Sequence, residues 1–150
     1  MPDSHINLSV KRLSPNAVIP QYATAGSAGM DLHACIDQPL TIAPGERVKV
    51  PTGLAIALPT PGYAAFLFPR SGLGVKSGIT LPNCVGVVDS DYRGEVIVGL
   101  INLSDTDYTV QPGDRIAQMV ILPVTHAQLR VVSELPQTQR GSGGFGSTGK

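Results

Sequence analysis

The chain is short of charge, aromatic residues and cysteine, and each shortage removes a class of function. Only 15% of its 150 residues are charged, against roughly 25% in an ordinary globular chain. That poverty suits a protein that buries part of its surface against other subunits. Eleven basic and eleven acidic residues cancel, so no overall field draws the chain to nucleic acid or to an anionic membrane. Tryptophan is absent, and four tyrosines and three phenylalanines without a basic stripe do not make a stacking surface for DNA or RNA. Two cysteines, Cys35 and Cys84, form no disulfide framework and read as reduced thiols in or near the core. The histidines, His5, His33 and His126, are scattered, neither cysteine has a partner at zinc spacing, and no role beyond packing or surface placement follows for them. No apolar run reaches 18 residues, and MPDSHINLSV lacks the regions of an export signal. The expectation is a soluble, cytoplasmic protein. There is neither a G-x-S-x-G elbow nor a complete P-loop.

What the chain does have is 17 glycines and 13 prolines that cut it into short apolar stretches. Ile6, Leu8 and Val10 alternate as one face of an opening strand, and residues 14–29 read as an ordered loop. In MDLHACI, Met30, Leu32, Ala34 and Ile36 alternate with Asp31, His33 and Cys35, the period-2 pattern of a half-buried strand. Residues 63–81 are the one stretch where a helix is arguable, but Pro69, Gly72, Gly74 and Gly78 limit it to about a turn. PGDR then feeds a strand, IAQMVIL, and residues 124–135 are expected to finish the packing as a last strand. Short strands at this spacing predict an all-β domain, a sandwich or jelly roll, over residues 1–135. From Pro136 the chain turns glycine-rich, with no aliphatic residue and a lone aromatic, Phe145. That composition predicts a flexible tail, or one that orders over a ligand.

The centre of the chain is NCVGVVDSDYRG at 83–94, an apolar run leading to an acidic turn and back through EVIVGLI, which reads as a β-hairpin. Turn chemistry alone explains Asp89 and Asp91 as acceptors of backbone N–H bonds, and a catalytic reading stands open beside it. In PRSGLG at 69–74, Arg70 and Ser71 precede glycines that can aim N–H groups at an anion, or the stretch is a turn with a surface arginine. In PGDRIAQ at 112–118, Asp114 and Arg115 could form a turn ion pair, and Gln118 could face either way. Asp31, Asp89, Asp91 and Glu95 offer oxygen ligands of the kind magnesium takes, better suited to an ion held by substrate phosphates and water than to a protein cage.

Together, AGMDL at 28–32, PRSGLG at 69–74, GVVDSDYRG at 86–94, PGDRIAQ at 112–118 and RGSGGFGSTG at 140–149 resemble the motifs of the trimeric deoxyuridine triphosphate nucleotidohydrolases, the dUTPases. The order and spacing match over nearly the whole chain, with Met30 where the family most often has tyrosine. The resemblance implies a jelly-roll homotrimer with sites shared between subunits, converting dUTP to dUMP and pyrophosphate. That activity limits uracil incorporation into DNA and supplies dUMP for dTMP synthesis. It implies Asp89 as general base for water attack at the α-phosphorus. Arg70, Ser71, Gly72 and Gln118 would handle the phosphates and the catalytic water. The backbone around Asn83, Gly86 and Val88 would read uracil, and Tyr92 would exclude a 2′-hydroxyl. Asp31 would approach Mg²⁺ through water. Arg140, Gly146, Ser147 and Thr148 would clamp the γ-phosphate in a closing tail, with Phe145 over the base. The related dCTP deaminases carry a catalytic glutamate at the position matching Gly99 here, a departure that favours phosphohydrolysis. A non-enzymatic jelly-roll trimer is the other alternative.

Overall fold

Alternation within the strands is what builds the fold. In Glu95–Asn102, Val96, Val98, Leu100 and Asn102 point inward and are buried, while Ile97 between them is exposed. The computed structural model describes residues 5–145. Among them lie ten strands: β1 (Ser9–Arg12), β2 (Met30–His33), β3 (Leu40–Ile42), β4 (Arg47–Ala57), β5 (Tyr63–Phe68), β6 (Ile79–Thr80), β7 (Gly86–Val88), β8 (Glu95–Asn102), β9 (Tyr108–Val110) and β10 (Arg115–Pro123), with one helix, α1 (Ser71–Ser77), between β5 and β6. They form two four-stranded antiparallel sheets, ordered β1-β4-β8-β6 and β2-β10-β5-β7, and a β3-β9 ribbon. Leu32, Val50, Val98, Leu100, Ile116 and Met119 fill the space between. The jelly-roll-like all-β class expected from the sequence is therefore observed. No helix among the described residues is long and apolar enough to cross a membrane.

Four expectations change. The segment around 83–94 is not a paired hairpin: β7 pairs with β5 in one sheet, and β8 pairs with β4 and β6 in the other. The acidic turn is thus a corner where the chain switches sheets. Residues 124–135 form no strand, and Leu129 and Val131 are 94% and 98% exposed; within one subunit this strand-like sequence pairs with none of the sheet edges. Helix α1 runs for 7 residues despite Gly72 and Gly74, and ends where Gly78 turns left-handed at φ 66°. Cys35 is half-buried as expected, but Cys84 is exposed.

The corner is pinned to the β4 sheet by a backbone irregularity. The β4–β8 register shifts between Pro51 and Ala55, and Gly53 sits there at φ +68°. Its N–H donates to Glu95 Oε1 at 2.7 Å and its carbonyl accepts from Leu13 N at 2.8 Å. A Cβ at this position would lie 2.7 Å from Cys35 Sγ and 2.8 Å from Ala17 Cβ. Gly53→Ala therefore meets both a disfavoured φ and a packed neighbour, and is expected to cost about 2–3 kcal/mol in denaturant unfolding. A loss below ~0.5 kcal/mol would show that the bulge relaxes freely.

Candidate active site

The corner after β7 presents Asp89 on a rigid frame. Val88 is buried and in register with Ala65 of β5, so the chain leaves the sheet at a fixed point. Tyr92 N donates to Asp89 O at 3.2 Å, and Arg93 Nη1 donates to the carbonyls of Ser90 at 2.8 Å and Tyr92 at 2.9 Å. Tyr92 Oη donates to Glu95 O at 3.0 Å. The Asp89 residue itself is exposed. Before β7, Cys84 N donates to Leu81 O at 3.0 Å and Val85 N to Asn83 O at 2.7 Å, with Cys84 at φ 64°. This tight bend and β7 place Asn83, Gly86, Val88, Asp89 and Tyr92 around one cavity of about 260 Å³. Its walls carry fixed main-chain donors and acceptors, which suits the edge of a planar base. Complete small-molecule sites usually enclose ~300–1,000 Å³; a cavity of this size has room for only part of such a ligand. A second, open cavity of about 640 Å³ lies on the other side of Asp89, toward Pro61, Tyr63 and His126.

A separate polar cluster forms where β2, β5 and β10 meet. Arg70 Nε donates to Asp31 Oδ1 at 2.9 Å and Arg115 Nη1 to Asp31 Oδ2 at 3.3 Å. Arg115 is thus tied to Asp31 rather than to its neighbour Asp114, whose carboxylate accepts from Gln111 N at 2.8 Å. These pairs are partly exposed, with side-chain accessibilities of 26%, 55% and 22% for Arg70, Arg115 and Asp31. Their value lies in orientation more than in stability. Two guanidinium groups around one carboxylate leave a net positive charge, and the fork of Arg70 keeps terminal nitrogens beyond the Nε bond, as a phosphate requires. Ser71 opens α1 directly after Arg70, with Gly72 following. Gln118 lies opposite Asp31 on one side and Phe68 on the other, and its Nε2 donates to Pro69 O at 3.1 Å. Nearby, His33 has a buried Nδ1 without a partner. Burial lowers its pKa, partly opposed by Asp31, so the ring adds no charge of its own near neutral pH.

The fit to magnesium follows from this arrangement. Both oxygens of Asp31 already accept bonds from arginines, so a directly bound cation would displace them, whereas contact through water would not. Among the described residues, no three His, Cys, Asp or Glu side chains gather closely enough to hold a metal. The donor set fits an ion carried by a polyphosphate, not a protein cage.

One subunit does not bring the two halves together. On β5, Ala65 faces Val88 while Phe68 faces Gln118, three residues further along, a separation of roughly 10 Å. Arg70 and Ser71 lie beyond that point, and neither cavity lined by Asp89 includes Arg70, Ser71 or Gln118. The tail stands apart from both. Arg140 Nε donates to Gly143 O at 2.8 Å within a local turn, and Phe145 is fully exposed. Gly146, Ser147 and Thr148 lie outside the described residues. The structure also reveals supports that sequence reasoning missed, namely Glu95, Gly53 and Arg115. Glu95 and Arg115 both carried a signal, Glu95 as an oxygen ligand directly after the corner and Arg115 as a turn partner for Asp114, but in roles other than the ones observed. Gly53 carried none.

Comparison with known proteins matches the dUTPase family model to residues 15–149. The Idiomarina loihiensis protein named deoxyuridine 5′-triphosphate nucleotidohydrolase is 55% identical over 139 residues, covering 93% of this chain and 92% of its own length. The protein of that name from Paraburkholderia phymatum is 52% identical over 147 residues, covering 97% and 99%. Among solved structures, the Staphylococcus bacteriophage 80alpha dUTPase with dUpNHpp superposes with a TM-score of 0.86 at 28% identity, covering 96% of this chain and 99% of that one. A variant dUTPase of phage phi11 of S. aureus, described for its coordination of a structural Mg(II) ion, has the same fold with a TM-score of 0.79 at 24% identity, covering 88% and 100%.

Proposed function

This chain belongs to the dUTPase family and hydrolyses dUTP, and on that premise we propose how its residues divide the work. The cavity between Asn83 and Tyr92 takes the uracil and deoxyribose. Main-chain groups from Asn83 to Val88 read the Watson–Crick edge, and the close backbone at Gly86 leaves no room for a 5-methyl group. Cytosine inverts part of the donor–acceptor pattern and leaves buried groups unpaired, at about 1–3 kcal/mol each. Tyr92 covers the sugar face where a 2′-hydroxyl would project. Asp89 accepts a proton from the water that attacks the α-phosphorus, in line with the departing pyrophosphate. Arg70, Ser71 and the backbone at Gly72 hold the phosphates, and Gln118 orients the water. Mg²⁺ bound to the triphosphate would neutralise charge developing on its oxygens, with Asp31 reaching it through water.

The observation that carries this reading is the separation of Asp89 from Arg70, Ser71 and Gln118 along β5. A homotrimer joins the base and the water-attack half of one subunit to the phosphate half of the next. The exposed apolar side chains of Leu129, Val131 and Leu135 fit burial on a neighbouring subunit, which keeps residues 1–135 as the packed unit and 136–150 as a lid. Arg140, Gly146, Ser147 and Thr148 then close over the γ-phosphate and Phe145 over the uracil, in a cytoplasmic enzyme. Gly99 lies in mid-strand with Pro82 3.6 Å from where its Cβ would be, and it offers no carboxylate for deamination.

Pyrophosphate release across dUTP, dCTP, dTTP and UTP, with and without Mg²⁺, tests the scheme. The expected result is turnover of dUTP alone at an appreciable rate, stimulated by Mg²⁺, with no ammonia from dCTP. Comparable kcat/KM for UTP would remove Tyr92 from its role, and ammonia release would move the chain to the deaminases.

A further inference from the structure

We infer that Gly94 is a specificity-determining position for the sugar, acting as a positioning residue through Tyr92; the inference rests on Tyr92 facing the deoxyribose. The Tyr92 ring is not held by packing in the core, since it is 45% exposed. It is fixed at two points in its own corner. Its hydroxyl donates to Glu95 O at 3.0 Å, and Glu95 is anchored in turn by Gly53 N on its carboxylate at 2.7 Å. Its ring lies directly over Gly94. A Cβ at residue 94 would come within 2.6 Å of Tyr92 Cζ and 3.1 Å of Cε2, and closer still to the hydroxyl oxygen. Real Cβ atoms do not tolerate such contacts, so any L side chain at this position must push the ring off its seat. Gly94 itself lies outside the left-handed region, so alanine there meets no left-handed penalty. No other atoms within its reach are as close, and the group that must give way is the Tyr92 ring, held at its far end by a single hydrogen bond to Glu95 O. The load of a single methyl group therefore falls on the pose of Tyr92 and not on the fold. Tyr92 and Glu95 both line the nucleoside cavity, so a displaced ring changes the space beside the sugar. The absence of a side chain at 94 is what lets a short turn carry an aromatic ring flat against its own backbone, at a distance that separates a hydrogen from a hydroxyl.

The test is a double-mutant cycle on native, Gly94→Ala, Tyr92→Ala and Tyr92→Ala/Gly94→Ala proteins. It measures kcat/KM for dUTP and UTP by pyrophosphate release, with thermal unfolding alongside. Gly94→Ala is expected to keep its melting temperature within ~2 °C and to lower dUTP-over-UTP discrimination on the order of tenfold. It should add no further shift in the Tyr92→Ala background, as coupled residues behave. An unchanged discrimination ratio in Gly94→Ala, with a collapsed ratio in Tyr92→Ala, overturns the inference and leaves the role of Tyr92 standing. An unchanged ratio in Tyr92→Ala overturns both. Equal losses for both nucleotides, a full shift persisting without the ring, or a Gly94→Ala protein that no longer folds would each overturn it, because the added methyl would then act on something other than Tyr92.

Discussion

Asp89→Asn is expected to bind a non-hydrolysable dUTP analogue as tightly as the native protein and to turn dUTP over roughly 10²–10⁴ times more slowly, the range a positioned general base contributes. The substitution is nearly isosteric, and the frame does not depend on the carboxylate. The main-chain carbonyl of Asp89 takes the Tyr92 N–H, and Arg93 caps the carbonyls of Ser90 and Tyr92. What the amide loses is the ability to accept a proton. A rate within tenfold of native would assign the base elsewhere. The same variant tests how the site is divided. Asp89→Asn and Arg70→Ala subunits are each expected to be nearly inactive alone. Unfolded and refolded together, they should regain activity, because some interfaces then pair an intact Asp89 with an intact Arg70. Random assembly of heterologous interfaces restores on the order of one quarter of the sites. No recovery on mixing would place both residues in one subunit's site, against the spacing along β5.

The strands were legible in the residues, and their buried faces in part. MDLH carries its alternation into the structure as buried and half-buried positions, because the period-2 rule depends only on the local chain. EVIVGLIN is apolar nearly throughout, and its inward and outward faces appear only in the sheet. What that rule leaves open is which strand lies alongside. A hairpin and a sheet-switching corner look alike in sequence: two apolar runs around a polar turn. Only long-range pairing of β7 with β5 and of β8 with β4 separates them. The strand-like pattern of residues 124–135 was readable, but a strand forms only where it pairs, and within the subunit these residues pair with none of the edge strands β1, β2, β6 and β7. Asp31 and Arg115 lie 84 residues apart in sequence, so local reading paired Arg115 with Asp114. The chemistry-bearing residues stood out as motifs, and their division between two halves followed from the family resemblance alone. The part played by Gly94 was invisible, since a glycine carries no side chain to read and its function here is the space it leaves for Tyr92.

Removing residues 137–150 is expected to leave subunit fold and assembly unchanged while lowering turnover by two or more orders of magnitude. The first half follows from where the packing ends. The last strand stops at Pro123, and the contacts described in the tail are local: Arg140 Nε to Gly143 O at 2.8 Å and Gly141 N to Thr138 Oγ1 at 3.1 Å. Phe145 is fully exposed in the single subunit, so its loss removes no core contact, and surface changes of this kind stay within about 0.5 kcal/mol. The second half follows from what the remaining site lacks. The cavity of about 260 Å³ proposed for the nucleoside is open, and an open site would leave the triphosphate solvated and loosely oriented. Closure over it would add a stacking face from Phe145 and a cation from Arg140, excluding water as it positions the phosphates. Because that energy is realised mainly when the reacting groups are aligned, the loss should fall on kcat more than on KM. Phe145→Ala and Arg140→Ala should each reproduce part of it. Pyrophosphate-release kinetics beside sedimentation and thermal unfolding of the truncated chain separate the two halves. A truncated trimer with native kcat would remove the tail from catalysis, and a truncated chain that no longer assembles would make it a structural clasp.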